Sequence, residues 1–442
     1  MTTIRLNFSH GDHNEQGARI KTAREISKEK NLPISVMLDT KGPEVRVGKF
    51  KDGAQKVSAG EEIIIYSDKD SYQNKECGEG ELTVSYDMSK DLEVDKPILV
   101  DDGKLTLTVK EINPGIIKTV AKNSHLVKGN KRINLPGTKF SLAFLAEKDI
   151  NDIRFGCDMG IDYIAASFVN TPEDIKEIRE ILKEKGKEYI QIFAKIESQY
   201  AVDNFDKILK ETDGVMVARG DLGLEIPYYE VPVAQKMMIR KCRAAGKPVI
   251  VATQMLDSME KIPTPTRAEV TDVYFATELG ADATMLSGES AAGQFPVQAV
   301  KVMSKINQRA EKEFYNKLFY PVQLAEVSKN SSGPRADIAN AVAKKSQDGE
   351  YRFAVVLSRT GALLKEVAKF RPNAAIIGVT NKKEVTTAHG LTSSVFMHPE
   401  IDEFDKIKSD INESKAIAQK FGGKAGDKYL VVENEKIAEF VL

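Results

Sequence analysis

The sequence predicts an α/β protein built on a (β/α)8-type TIM barrel that lacks its first βα unit, carries an inserted all-β lid and ends in an open α/β domain. Three observations predict it. From Leu142 to about Lys312, short β-rich runs alternate with amphipathic helical stretches. Between Glu44 and about Lys131 the texture changes to short alternating strands with turn signals, and beyond Ser331-Ser332-Gly333-Pro334 a second, shorter βα series begins.

The first barrel strands are Thr3 to Leu6 and Ile34 to Leu38, joined by a helix over Asn14 to Lys30. The lid follows, with EEIIIYS, ELTVSY, PILVD and LTLTVKEI punctuated by Asp52-Gly53, Asp102-Gly103 and Pro114-Gly115. Its place directly after Asp39 delivers it over the mouth formed by the strands' C-terminal ends, as a lid or as a decoration. Five further strands are IDYIAAS, YIQIFAKIE, GVMVARG, PVIVATQM and ATMLSG. They are almost continuously apolar, as strands covered on both faces should be. Seven strands are thus visible where a full barrel has eight, so Thr3 to Leu6 and Ala283 to Leu286 are expected to lack a neighbour. After a helix ending near Tyr315 and a linker-like segment, FAVVLS, AAIIGVT and YLVVE form the last sheet. The expected division is barrel 1–43, lid 44–140, barrel 141–328 and C-terminal domain 329–442.

At 442 residues the chain has room for about three domains. Its 64 basic and 65 acidic residues leave a net charge of −1, which argues against nucleic acid as a partner but leaves room for a local basic pocket. No apolar run approaches the ~20 residues of a membrane span, and Met1-Thr2-Thr3-Ile4-Arg5 lacks the apolar core of a secretory signal, so a cytoplasmic protein without membrane contact is expected. Cys77, Cys157 and Cys242 are isolated, which predicts neither disulfides nor zinc.

The strand ends carry the chemistry. In FAKIES, Lys195 and Glu197 leave one face of a strand, as a structural ion pair or as a phosphate-holding lysine beside a metal carboxylate. In GVMVARGDLGLEIP, Gly220 and Gly223 flank Asp221 where a strand turns into a helix; free N–H groups there can hold an anion, and Asp221 is a helix cap, a carboxylate for a hard cation, or both. The next ends supply Thr253 and Gln254, then Ser287, Glu289 and Ser290. RLNFSHG puts Arg5, Asn7 and Ser9 on one side of a strand with His10 in the turn, and LDTKGPEVR adds Asp39, Thr40, Lys41 and Arg46. Asn7, Ser9, Asp39 and Thr40 offer oxygen to a weakly hydrated monovalent cation or cap turns. A ring of such ends points to an enzyme.

Together RLNFSHG, DTKGPEVR, INLPG, EKDINDIRFG, AASFV, AKIE, MVARGDLGLEIP, GKPVIVATQMLDSM, PTRAE and LSGES closely resemble the pyruvate kinase family, in order from Arg5 to about Pro296. The resemblance implies transfer of a phosphoryl group from phosphoenolpyruvate to ADP, giving ATP and pyruvate in glycolysis. It assigns the phosphoryl group to Arg5 and Lys195, Mg²⁺ (or Mn²⁺) to Glu197 and Asp221, and the substrate carboxylate to backbone near Gly220 and Asp221, close to Thr253. It matches K⁺ to Asn7, Ser9, Asp39 and Thr40, with Glu44 as the acidic residue of potassium-dependent members. Nucleotide phosphates would meet Asn7, Phe8, Ser9 and His10, with Arg46 and Lys131, under Asp102 of the lid. Thr253 with water, relayed through Ser287 and Glu289, is the implied proton donor, and a homo-oligomer, the family tetramer, the implied assembly.

Tyr200-Ala201 and Phe275 depart from the family pattern, and the C-terminal match is weaker: SRTG at Ser358 to Gly361 resembles a phosphate loop, without the usual final segment. Control by a sugar phosphate is therefore not expected. Two other readings are an inactive or impaired paralogue with an assembly role, which the missing βα unit favours, and a Mg²⁺-dependent barrel lyase, which explains Glu197 and Asp221 but not the lid.

Overall fold

The computed structural model describes residues 1–138, 141–315 and 319–442. Seven parallel strands form the barrel sheet: Thr3–Asn7, Ser35–Asp39, Tyr163–Ala166, Gln191–Ile196, Gly214–Ala218, Val249–Ala252 and Ala283–Met285, paired in that order. Among the described residues neither Thr3–Asn7 nor Ala283–Met285 pairs with a second strand, so the curl has an open seam.

Most of these strands are buried on both faces, which their Val, Ile and Ala content permits. One face packs on the surrounding helices. The helix Pro172–Glu184, for example, starts on a Thr171–Asp174 capping box with proline in its first turn and buries Ile175, Ile178, Ile181 and Leu182 against the sheet. The other face fills the barrel with Met37, Tyr163, Phe193, Met216 and Ile250.

The first strand corrects one expectation. Ser9 does not share its face with Arg5 and Asn7, because the strand ends at Asn7 and the chain turns at once toward the helix His13–Glu29. Ser9 donates its N–H to Asn7 Oδ1 at 3.0 Å, and Gly11 takes the left-handed φ of +71° that the turn needs.

The lid holds a seven-stranded sheet in the order Val45–Arg46, Arg132–Asn134, Pro97–Val100, Leu105–Asn113, Ile116–Ala121, Glu62–Tyr66, Glu81–Thr83, and a separate pair, Ala54–Val57 with His125–Lys128. It has its own core, including Val57, Ile63, Ile65, Leu82 and Ile98. The expected lid limit at residue 140 lies outside the described residues.

The C-terminal sheet has five strands where the sequence suggested three: Val395–Met397, Ala375–Val379, Tyr351–Leu357, Lys428–Glu433 and Lys436–Val441, the last antiparallel. The short run Val395–Met397 and the half-exposed edge Lys436–Val441 lack the long apolar pattern that marks a buried strand. The expected linker contains a helix, Phe319–Lys329, whose Tyr320, Leu324 and Val327 join the C-terminal core; residues 316–318 lie outside the described set.

Candidate active site

Asp39, Lys195 and Asp221 meet because each sits at or just beyond the C-terminal end of a different barrel strand, and Arg5 joins them from the middle of the strand Thr3–Asn7. Lys195 is buried, and its Nζ donates to Asp39 Oδ1 at 3.0 Å and Ser167 Oγ at 2.7 Å, with Glu197 Oε1 at 3.1 Å. Arg5 Nε donates to Asp39 Oδ2 at 2.6 Å. Burial opposes charge on both partners, yet Arg5 and Lys195 hold the Asp39 carboxyl below its usual range, while Asp39 and Glu197 hold the Lys195 ammonium above its own. Both stay ionised.

Glu197 behaves differently. Its Oε2 accepts the N–H of Phe168 at 2.6 Å, but its Oε1 has no aligned hydrogen-bond donor despite the nearby ammonium. Burial, reinforced by Asp221, pushes this carboxyl up to about 7 against the pull of Lys195 and Arg132. A buried carboxylate oxygen with no aligned donor is a place where a cation lowers the energy.

These groups border a cleft of about 330 Å³. Of the residues singled out in the sequence, Arg5, Asn7 and Asp39 line it from the first two strands, Ser9 and His10 from the turn after the first, Arg46 and Lys131 from the lid, and Lys195 and Asp221 from the floor. Glu44 and Asp102 line it too. Five others are placed apart. The Phe8 ring is buried, 1% exposed, in the core between the barrel sheet and its helices. The Thr40 hydroxyl turns inward to the N–H of Ser167 at 3.0 Å. Gly220 spends its N–H on Thr253 Oγ1 at 2.8 Å, and Thr253 in turn donates to Ala252 O at 2.6 Å. Glu197 lies beneath the lining, 1% exposed.

The expected relay through Ser287 and Glu289 is not formed. Glu289 accepts the backbone N–H groups of Leu256 at 3.1 Å and Ser287 at 2.7 Å, which fixes two loops instead.

Ser167, Arg132 and Asp101 escaped the sequence reading, whereas Arg219 stood in it as a strand-end residue without a role. Ser167 joins Lys195 to Asp39, and its signal was a polar residue ending the apolar run IAAS. Arg132 reaches from the lid to the N-terminal turn of the helix Arg219–Glu225, donating to Asp221 Oδ1. Arg219 pairs with Asp272 at 2.6 Å and donates to the Thr253 carbonyl at 2.6 Å, holding a backbone where Thr253 and Gln254 have φ of +72° and +52°. Left-handed non-glycine backbone of this kind is costly and concentrates at functional sites. On the lid, His125 at 2.9 Å and Lys131 at 2.9 Å overcome burial and bring Asp101 down to about 2.

A buried ammonium and a guanidinium fixed by carboxylates on the floor, beneath lid residues that include Arg46, Lys131 and Arg132, are the charge arrangement of a barrel phosphotransferase. The family profile described as "Pyruvate kinase, barrel domain" matches residues 1–300. The chain is 46% identical over 412 residues to a pyruvate kinase of Mycoplasma genitalium, covering 90% of this chain and 80% of that protein. With one of Clostridium acetobutylicum it shares 43% over 412 residues, covering 91% and 84%. The crystal structure of a pyruvate kinase from Cryptosporidium parvum superposes with a TM-score of 0.91 at 34% identity, covering all of this chain and 91% of that one. The chain belongs to the pyruvate kinase family, whose members generally use Mg²⁺ and K⁺. Nothing in these likenesses supports the inactive-paralogue or lyase readings.

Proposed function

We propose that this cleft moves the phosphoryl group of phosphoenolpyruvate to ADP, giving ATP and pyruvate, with the barrel floor holding the first substrate and the lid closing over the nucleotide. The observation that carries the reading is Lys195, a buried ammonium held by Asp39, Ser167 and Glu197 at the floor of a cleft that Arg46, Lys131 and Arg132 also line from the lid. Phosphoryl transfer asks for positioning and for fixed positive charge rather than covalent help.

Lys195 would donate to the transferring phosphoryl oxygens, and Arg5, locked by Asp39, would hold the same group from the side. Glu197 and Asp221 fit a divalent ion: one buried oxygen has no aligned donor, and two carboxylates suffice for Mg²⁺, which keeps water and substrate oxygens as its other ligands. When bound, that ion supplies Lewis-acid polarisation of the phosphoryl and enolate oxygens. For K⁺ the fit is partial. Asn7, Ser9 and Asp39 border the cleft, whereas the Thr40 hydroxyl is withdrawn. We assign Thr253, with a water, to protonation of the enolate carbon; its hydroxyl must first exchange the bond to Ala252.

Arg46, Lys131 and the turn from Asn7 to His10 would take the nucleotide phosphates. That turn is held from behind by Gln16, which donates to the carbonyls of Asn7 at 3.1 Å and His10 at 2.7 Å, and by Lys148 on Phe8 O at 2.8 Å. The division into barrel 1–43 and 141–328, lid 44–140 and C-terminal domain 329–442 belongs to the same reading. So do a cytoplasmic, glycolytic role and a homo-oligomer, for which the exposed Tyr228, Tyr229 and Val233 offer apolar area. No helix among the described residues is long and apolar enough to cross a membrane.

The test is pyruvate formation from phosphoenolpyruvate with and without ADP and divalent metal. Turnover that needs both supports the reading. Turnover without ADP means a lyase or phosphatase, and none at all means an inactive relative.

A further inference from the structure

Two lid residues meet two barrel residues in register. Arg132 and Asn134 lie two apart on the strand Arg132–Asn134 and so share a face; Asp221 and Glu225 lie one turn apart on the helix Arg219–Glu225 and share another. Arg132 Nη1 donates to Asp221 Oδ1, and Asn134 Nδ2 donates to Glu225 Oε1 at 3.1 Å. The same guanidinium brings Nε to 3.4 Å from Glu44 and stacks 5.0 Å from the centre of the Phe168 ring, whose own N–H holds Glu197.

From this arrangement we propose that Arg132 is a built-in counter-ion for the metal carboxylates, which latches the lid to the barrel and which a divalent cation must displace. The inference rests on the reading of Glu197 and Asp221 as the metal pair. Around the cleft, Asp39, Glu44, Glu197 and Asp221 pair with Arg5, Arg46, Lys195 and Arg132 respectively, and Lys195 also reaches Asp39. A divalent ion seated on Asp221 repels a guanidinium bound to the same carboxylate, so the two compete. Asn134 and Glu225, which hold no metal, keep the lid's base in register. Once released, Arg132 is available to nucleotide phosphates in the same cleft, and the site gains positive charge when an anionic substrate pair must enter. By linkage, whatever the latch costs metal affinity, metal binding costs the latch.

The experiment uses the full chain and Mn²⁺ alone as probe. Mn²⁺ affinity is measured by calorimetry, and hydrogen exchange is followed in the segment 130–135, for the parent, Arg132→Gln, Arg132→Lys and Asp221→Asn. Without substrate, Arg132→Gln should bind Mn²⁺ about fivefold or more tightly, the lower end of ordinary coupling between sites, with Arg132→Lys between it and the parent. Mn²⁺ should speed exchange at the lid base of the parent and leave that of Arg132→Gln unchanged. Equal or weaker Mn²⁺ affinity in Arg132→Gln, or parental exchange indifferent to Mn²⁺, overturns the latch. If Asp221→Asn keeps parental Mn²⁺ affinity, the metal pair itself is wrong and the latch falls with it. If Asp221→Asn loses Mn²⁺ while Arg132→Gln matches the parent, only the latch falls.

Discussion

The two ends of the barrel are built from the same strands to opposite purposes. At the mouth, Arg5, Asp39 and Lys195 converge beside an open cleft and Glu197 keeps an oxygen without an aligned donor. At the base, a loop of the C-terminal domain packs onto the starts of the strands. Thr2 Oγ1 donates to Gly390 O at 2.6 Å, Ser35 Oγ to Thr387 O at 2.7 Å and Gln191 Nε2 to Ala388 O at 2.6 Å. Leu391, 8% exposed, seats in the barrel interior against residues that include Met37, Tyr163 and Phe193. Only glycine fits before it, since a Cβ on Gly390 would lie 2.2 Å from Ser35 Oγ and 2.7 Å from Thr3 Oγ1. The base is plugged and pinned by hydrogen bonds, although Thr3 Oγ1, the Tyr163 hydroxyl and His389 Nδ1 stay unpaired there; the mouth is left open around charged side chains.

That contrast breaks most visibly at Lys195. Lys195→Met should lose phosphoryl transfer by about 3 to 5 kcal/mol in kcat/KM, two to four orders of magnitude. Asp39 keeps Arg5 and Ser167 in this variant, so the protein should still unfold cooperatively, with a thermal midpoint a few degrees lower at most. Near-parental turnover would return Lys195 to a structural role.

At the base the effects should be reversed. Leu391→Ala removes a buried plug and should cost about 2 to 4 kcal/mol of stability in denaturant titration, while kcat per folded molecule stays near parental. Unchanged stability would show that the loop only rests on the barrel.

A third test uses pH. Burial, aided by Asp221, pushes the Glu225 carboxyl up to about 7 against its hydrogen bond from Asn134. Between the ordinary carboxyl value and that one, the folded chain holds a proton that the unfolded chain has released. Stability therefore falls as pH rises through this window. Glu225→Gln should flatten that decline by about 2 to 3 kcal/mol, read from unfolding in denaturant at pH 5 and pH 8. An equal slope in both proteins would remove Glu225 from the account.

The smallest expected effect lies at the seam. Among the described residues, strand Thr3–Asn7 pairs on one side only, with Ser35–Asp39, which itself is paired on both sides. Its seam-facing amides should exchange faster than those of Ser35–Asp39 under native conditions. Equal protection would mean that the barrel closes by another route.

Legibility followed the same division. The strand ends were readable because a buried parallel strand is an apolar run, and a polar residue ending it has few places to go but the mouth. Lys195, Asp39 and Asp221 were found that way. Ser167, at the end of an equally plain run, was overlooked, and Arg132 belongs to a three-residue strand with no pattern of its own. The C-terminal strands Val395–Met397 and Lys436–Val441 were missed because short or edge strands carry little periodicity.

By itself the sequence determined the serial βα order, the inserted β-rich segment and the seven barrel strands, since these depend on local periodicity and chain order. Only the tertiary structure decided what each end does with its side chains. It withdrew the Thr40 hydroxyl and the Phe8 ring, tied Glu289 to two backbone N–H groups, and brought Arg132 to Asp221 across 89 residues and Leu391 into the barrel. The reason is physical: a buried polar group takes whichever partner packing brings within hydrogen-bond reach, and that partner is fixed by the path of the whole chain.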